Sequence, residues 1–185
     1  MRFAPQHITL KDEQLVEIRE ATIQDTPDLL TTIKEYIEDS EFIPYTAGEF
    51  SLTIEQGWRW IQSFRNSGNS ILLVATHKGQ IIGNLDVTAS SRNMLSHTAV
   101  VGIGILKEWR RIGLGTALFE AATNYVKHNT TLEVLWLQVM GTNEAGMRLY
   151  RSFGFEETGR AKGFVRLSDG SYSDDIRMTL NLKQI

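Results

Sequence analysis

Three strand-like segments in a row, ending at a junction rich in arginine and glycine, constrain this chain more than any other feature. SILLVAT (70–76) and IIGNLDVTAS (81–90) flank the turn pair Lys78-Gly79 and read as a hairpin. HTAVVGIGIL (97–106) follows as a further strand, β-branched enough to be central. Ahead of this block, LVEIREA (15–21) alternates as a first strand. Asp25-Thr26-Pro27-Asp28 then opens a helix, with proline near the first turn and acids at its positive end, running to about Asp39. After a loop with Pro44 and Gly48, Thr53-Ile54-Glu55-Gln56 forms a capping box for a second helix through Trp60 and Phe64.

Beyond the block, Leu114, Ala117, Leu118, Ala121, Ala122, Tyr125 and Val126 recur at helical spacing. LEVLWLQVM (132–140) reads as a strand, and Asn143 to Phe153 as a short helix capped by Asn143 and ended by Gly154. Two last strands, around 155–167 and 174–182, join through Asp169-Gly170. The order β-α-α-β-β-β-α-β-α-β-β predicts an α/β (α+β) fold: a mixed, largely antiparallel sheet of about seven strands flanked by about four helices. A doubly wound sheet would alternate more regularly. Residues 1–14 read as an N-terminal extension and 15–182 as one domain.

The net charge of -3 gives no electrostatic footprint for nucleic acid or an anionic membrane. No apolar stretch approaches a membrane span, and MRFAPQHITLKDEQ lacks the apolar core of a signal peptide. The chain has no cysteine, which excludes disulfides and protein thiolate chemistry. Its four histidines (7, 77, 97, 128) are scattered, so no metal site is expected. The expectation is a cytoplasmic protein that binds neither nucleic acid nor membrane.

The junction itself, RRIGLG (Arg110 to Gly115), lies where a strand ends and a helix begins. A first helical turn carries unpaired N–H groups and the positive end of the macrodipole, which suits an anion. Gly113 and Gly115 lack a β-carbon, so a diphosphate could approach the backbone, with Arg110 and Arg111 adding charge. A plain sharp turn with solvated arginines would need the same residues. The Walker pattern is absent, since no Gly-Lys-Ser/Thr occurs, and G-x-G-x-x-G fails from both Gly102 and Gly113.

R-x-x-G-x-G after a strand and before an amphipathic helix, then a strand, Asn143 and Leu149-Tyr150-Arg151-Ser152-Phe153-Gly154-Phe155, resembles the GNAT superfamily of acyl-CoA-dependent N-acetyltransferases. The match in element order spans about 15–182. The ending GRAKGFVRLSDGSYSDDIRMTL resembles the branch containing ribosomal-protein N-terminal acetyltransferases. The resemblance implies the GNAT acyl-CoA N-acyltransferase fold, acetyl-CoA as cosubstrate, no metal, and direct transfer to a small-molecule or peptide amine; homodimers are common in the family. It places the coenzyme A pyrophosphate on the amides of Arg111, Ile112, Gly113, Leu114, Gly115 and Thr116, with Arg110 beside them. The pantetheine arm would pair with Ile103, Gly104 and Ile105, where a bulge at Gly102 or Gly104 would splay the sheet. Asn143 would contact the pantetheine side; as a plain N-cap it would serve equally well.

Acetyl transfer needs a neutral amine, an oxyanion donor and an acid for the leaving thiolate. An amide near Ile103 could hold the oxyanion. Tyr150 falls where the family places its acid, although a half-buried helix tyrosine could simply pack its ring. Two positions that carry glutamate in relatives hold Gln138 and Val100 here, and neither accepts a proton. His97, Asp86, Glu38 and Glu41 remain as bases, with none favoured over solvent. The family's acceptor side corresponds to about 36–60, including Tyr36, Glu38, Glu41, Phe42, Tyr45 and Glu49; Trp58 or Trp60 could form a wall. A GNAT-fold module that binds CoA without catalysis, as sensor or interaction partner, is the alternative. A nucleotide-binding module unrelated to CoA is the third.

Overall fold

The computed structural model describes residues 3–46 and 48–184. Eight strands form one sheet: β1 Gln6–Thr9, β2 Leu15–Glu20, β3 Ile71–His77, β4 Gln80–Ala89, β5 Thr98–Ile105, β6 Val134–Met140, β7 Glu156–Arg166 and β8 Tyr172–Asn181. Their order across the sheet is β1-β2-β3-β4-β5-β6-β8-β7. All neighbours are antiparallel except β5 and β6. The helices are α1 Thr26–Glu38, α2 Ile54–Asn66, α3 Leu114–Asn129 and α4 Glu144–Ser152.

The architecture is the expected one with a strand added at the edge. β1 falls inside the stretch read as an extension and pairs Gln6 to Thr9 against Ile18 to Leu15. Its sequence QHIT is short and mostly exposed, so it carries no apolar alternation to betray it. Phe3 and Leu10, on either side, are buried in the common core.

Local chemistry explains where the helices begin. Arg19 grips Asp25 with two 2.7 Å hydrogen bonds, and the Thr22 amide donates to the same carboxylate at 2.7 Å. Burial opposes ionisation of Asp25, but these donors outweigh it and hold its pKa below the usual range. Thr53 and Gln56 complete the capping box of α2, with Thr53 N–H donating to Gln56 Oε1 at 2.8 Å and Gln56 N–H to Thr53 Oγ1 at 3.2 Å. The αL conformations of Lys78 and Gly79 make the β3–β4 turn, as the sequence predicts.

Alternation sorts the faces of the sheet. On β5, Gly102 and Gly104 face α1, whereas Ile103 and Ile105 face α3. The two helices on the first face approach closely at Gly57, where a β-carbon would lie 2.6 Å from Thr26 Cγ2 and 3.0 Å from Leu30 Cδ1. Gly57→Val is therefore expected to overpack this contact and destabilise the fold by about 1–3 kcal/mol. Urea unfolding checks it, as a lower midpoint at unchanged slope.

Candidate active site

β5 and β6 run side by side for only three residue pairs, Thr98 with Val134, Ala99 with Leu135 and Val100 with Trp136. Past Val100 they part. The β4–β5 ladder continues without a register shift from Ala99 to Ile105, so neither Gly102 nor Gly104 forms the expected bulge. The split comes from the end of parallel pairing.

Backbone directions follow from the ladder. The Ser90 amide donates to Thr98 and the Leu106 amide to Ile82, so even-numbered β5 residues turn their polar groups to β4. Gly104 therefore faces Asn84 across β4 and cannot pair with a ligand in the split, contrary to its assignment from the sequence. The backbone groups of Ile103 and Ile105 turn towards the split. The Ile105 carbonyl is already taken by Arg110 Nε at 2.8 Å, which leaves its N–H and both groups of Ile103.

At the end of the split lies the RRIGLG junction. Arg111 (φ 67) and Gly113 (φ 100) adopt left-handed conformations, and α3 starts at Leu114. The consecutive amides from Arg111 to Thr116 find no acceptor among the described residues. They form a nest at the positive end of a four-turn helix, suited to a phosphate. Two details differ from the sequence reading. Arg110 points back to the carbonyls of Ile105 and Asp39 rather than into the nest. Gly115 lacks its β-carbon for packing, since one there would meet Leu149 Cδ2 at 3.2 Å and Ile105 Cδ1 at 3.6 Å.

Lys11 brings a cation that the sequence did not reveal. Its amide donates to the Ile112 carbonyl at 3.1 Å, which docks the β1–β2 turn on the junction. Its side chain runs past Gly113, with Cγ 3.8 Å and Cε 3.9 Å from where a β-carbon would stand.

α4 stands across the split. Asn143 caps it, its Oδ1 accepting from the Gly146 amide at 2.9 Å. The Tyr150 ring is buried against Phe119 and Phe155, at centroid distances of 5.5 and 6.2 Å, and burial pushes its phenol up to about 12. Its hydroxyl makes no hydrogen bond, yet no fully buried side-chain oxygen lacks a partner among the described residues, so the hydroxyl retains access to solvent.

On the opposite face, α1, α2 and their loop roof a cavity of about 630 Å³. Tyr36, Tyr45, Glu49 and Trp60 line it, together with Asn84, Asp86, Gly102 and Ile103. Glu38, Glu41, Phe42 and Trp58 do not. A β-carbon on Gly104 would lie 2.1 Å from Tyr36 Cζ, and one on Gly102 2.6 Å from Asp86 Oδ1. The two glycines thus make room for a tyrosine and a carboxylate on the cavity floor. Tyr36 donates its hydroxyl to Asn84 Oδ1 at 3.2 Å, and burial pushes its pKa upward.

Asp86 is half-buried and opens onto the cavity. Burial raises its pKa to about 6, partly offset by the hydrogen bond from Thr88 Oγ1 at 2.9 Å. The other bases considered lie elsewhere: His97 precedes β5 at its far end, and Glu38 and Glu41 do not line the cavity; Gln138, where relatives carry glutamate, donates to Asp175 on β8. Asn84 and Asp86, two polar residues two apart in an apolar strand facing G-x-G, were the signal available in the sequence. Among the described residues no group of His, Asp or Glu is placed to hold a metal, and no helix is long and apolar enough to cross a membrane.

A mixed sheet split between parallel strands, with a helix start at the split and a cavity alongside, is the architecture of the acyl-CoA N-acyltransferase class. The model of the Acetyltransferase (GNAT) family matches residues 30–155, and the chain belongs to that family. It is 28% identical over 106 residues to the L-amino acid N-acetyltransferase AaaT of Escherichia coli, covering 57% of this chain and 65% of that protein. It is 30% identical over 98 residues to the ribosomal protein bS18-alanine N-acetyltransferase of Escherichia coli, covering 53% and 65%. The chain thus matches less than two thirds of the length of these relatives. The solved GNAT-family acetyltransferase from Streptococcus pneumoniae superposes with a TM-score of 0.86 at 27% identity, over 90% of this chain and 99% of that one. An acetyltransferase structure from Salmonella typhimurium, containing its cofactor acetyl-CoA, superposes with a TM-score of 0.78 at 18% identity, over 90% and 94%.

A half-buried carboxylate with no cation beside it lowers stability once ionised. The raised pKa of Asp86 means that the folded state binds more protons than the unfolded state between about pH 4 and 6, so its contribution falls as pH rises through that window. Asp86→Asn is expected to leave stability unchanged near pH 4 and to raise it by about 1–3 kcal/mol at pH 7. Urea unfolding of both proteins at the two pH values checks this.

Proposed function

We propose that the protein is an N-acetyltransferase that carries the acetyl group of acetyl-CoA directly to a primary amine. The observation that carries this reading is the split after Val100, whose free strand groups run up to the partnerless amides of Arg111 to Thr116. A pantetheine arm and a diphosphate have that sequence of chemical needs: hydrogen-bonding partners along an extended chain, then N–H donors for charged oxygens. The residues fit the group, and the relative solved with acetyl-CoA supports it.

When bound, acetyl-CoA supplies an activated acyl group with a thiolate leaving group. Ile103 offers its N–H to the arm or to the oxygen that becomes negative during attack. Arg111 and Lys11 add charge beside the nest, and Arg110 holds the end of β5. Tyr150 stays protonated at neutral pH, as a proton donor to sulfur must, and its packed ring fixes the hydroxyl. Asn143 orients the first turn of α4. The cavity under α1 and α2 admits the amine from the other face. Homodimerisation and a cytoplasmic setting complete the proposal by likeness to the family.

Two measurements test it. Calorimetry should show CoA binding to the wild type, weakened about ten- to hundredfold in Lys11→Glu/Arg111→Glu by removal of charge-assisted contacts. Equal affinities would remove the nest from the phosphate site. Tyr150→Phe should lower turnover about 10²–10⁴-fold with CoA affinity nearly unchanged, as read by thiol release with a panel of amines. Undiminished turnover, with chemistry rate-limiting, would take the acid role away from Tyr150.

A further inference from the structure

Asp86 has no cationic partner. Among the described residues no lysine, arginine or histidine forms an ion pair with it, and its one side-chain donor is the Thr88 hydroxyl at 2.9 Å. The other titratable groups lining the cavity are Tyr36, Tyr45 and Glu49, none of which is positive. The remaining walls are mostly aliphatic and aromatic, among them Ile33, Ile37, Phe50 and Trp60. A half-buried carboxylate facing such walls is costly unless a cation meets it. Asp86 also stands opposite Gly102, one residue before Ile103, so a cation held there would lie beside the split.

Resting on the acetyl-transfer reading, we propose that Asp86 receives the acceptor's ammonium group and takes its proton, and that the acceptor is a primary amine on an apolar arm with no carboxylate on the neighbouring carbon. The cavity offers the carboxylates of Asp86 and Glu49 to a cation and no positively charged side chain to an anion. A free α-amino acid would bring its own carboxylate within reach of Asp86 without a counter-charge, an unfavourable like-charge contact. Desolvation by the apolar walls favours the neutral forms of both partners, raising the carboxylate and lowering the ammonium, which brings their proton affinities together.

The proton inventory closes. One proton passes from the ammonium to Asp86 and is later released to water. The freed nitrogen lone pair forms the C–N bond while the C–S bond breaks and its electron pair leaves with sulfur. The second proton shed by nitrogen balances the one that Tyr150 gives to sulfur and regains from solvent. The products are the amide, the thiol and one proton.

Isopentylamine, leucinamide and leucine share one arm and differ only at the neighbouring carbon, so they serve as probes. Calorimetry without CoA should show isopentylamine and leucinamide binding at least about tenfold more tightly than leucine, a difference of one decade in Kd. Asp86→Asn should weaken both amines by a similar factor while CoA affinity stays the same. With acetyl-CoA and isopentylamine, kcat/KM of the wild type should level off above about pH 6, where Asp86 is ionised. In Asp86→Asn it should fall about 10²–10⁴-fold at pH 7 and climb instead towards the amine's own pKa near 10. Leucine bound as tightly as leucinamide, none of the probes bound, or affinities and pH profile unchanged in Asp86→Asn would each overturn the proposal. Failure to bind CoA would overturn the acetyl-transfer reading instead, and the amine calorimetry would still decide on Asp86.

Discussion

The end of parallel pairing after Val100 is the constraint on which the rest of this molecule depends. A sheet eight strands wide normally has unpaired backbone groups only at its two edges. Here the parting of β5 from β6 creates an internal edge, and the N–H and C=O groups of Ile103 turn into it. Peptide groups in a protein interior require partners. Arg110 supplies one, to the Ile105 carbonyl, and the others need water or a ligand. The crossover through α3 puts the start of that helix at the same end of the split, so unpaired strand groups and unpaired helix amides become neighbours.

The second consequence lies on the opposite face. A strand anchored on one side only can still be packed against, and β5 is packed through its glycines. Without side chains at 102 and 104, the Tyr36 ring and the Asp86 carboxylate sit directly on the strand backbone. The cavity floor is thus the reverse side of the internal edge. A group resting on Asp86 and a group paired with Ile103 are separated by little more than the thickness of one strand, which is the proximity that direct transfer between two bound molecules requires.

Features that depend on a few adjacent residues were legible in the sequence. The capping box at Thr53 and Gln56, the cap at Asn143, the Lys78-Gly79 turn and the RRIGLG junction all need only local chemistry, and each appears where its residues put it. What depends on pairing across the sheet was not. Gly102 and Gly104 looked like bulge residues because a strand glycine has that local use, but their purpose lies in Tyr36 and Asp86, which arrive from elsewhere in the chain. Gly115 looked like room for a phosphate and is room for Leu149. Asp86 could not be told from a surface carboxylate until the register set it opposite Gly102. β1 was missed because four polar-edged residues at the rim of a sheet need no apolar pattern.

The two costs that the fold carries are of one kind. An unpaired strand edge and a half-buried carboxylate without a cation each lower the stability of the protein on its own, and each would be relieved by a group of matching chemistry. Such features persist where function requires them, since a fully satisfied site has nothing left to offer a ligand. Ligands that bind only the folded state return stability in proportion to their occupancy. The compensation is local: strand groups are met by a hydrogen-bonding arm, helix amides by phosphate oxygens, and the carboxylate by an ammonium. Asp86 fits this pattern and Gln138 does not. Gln138 is exposed, donates its amide to Asp175 and does not line the cavity.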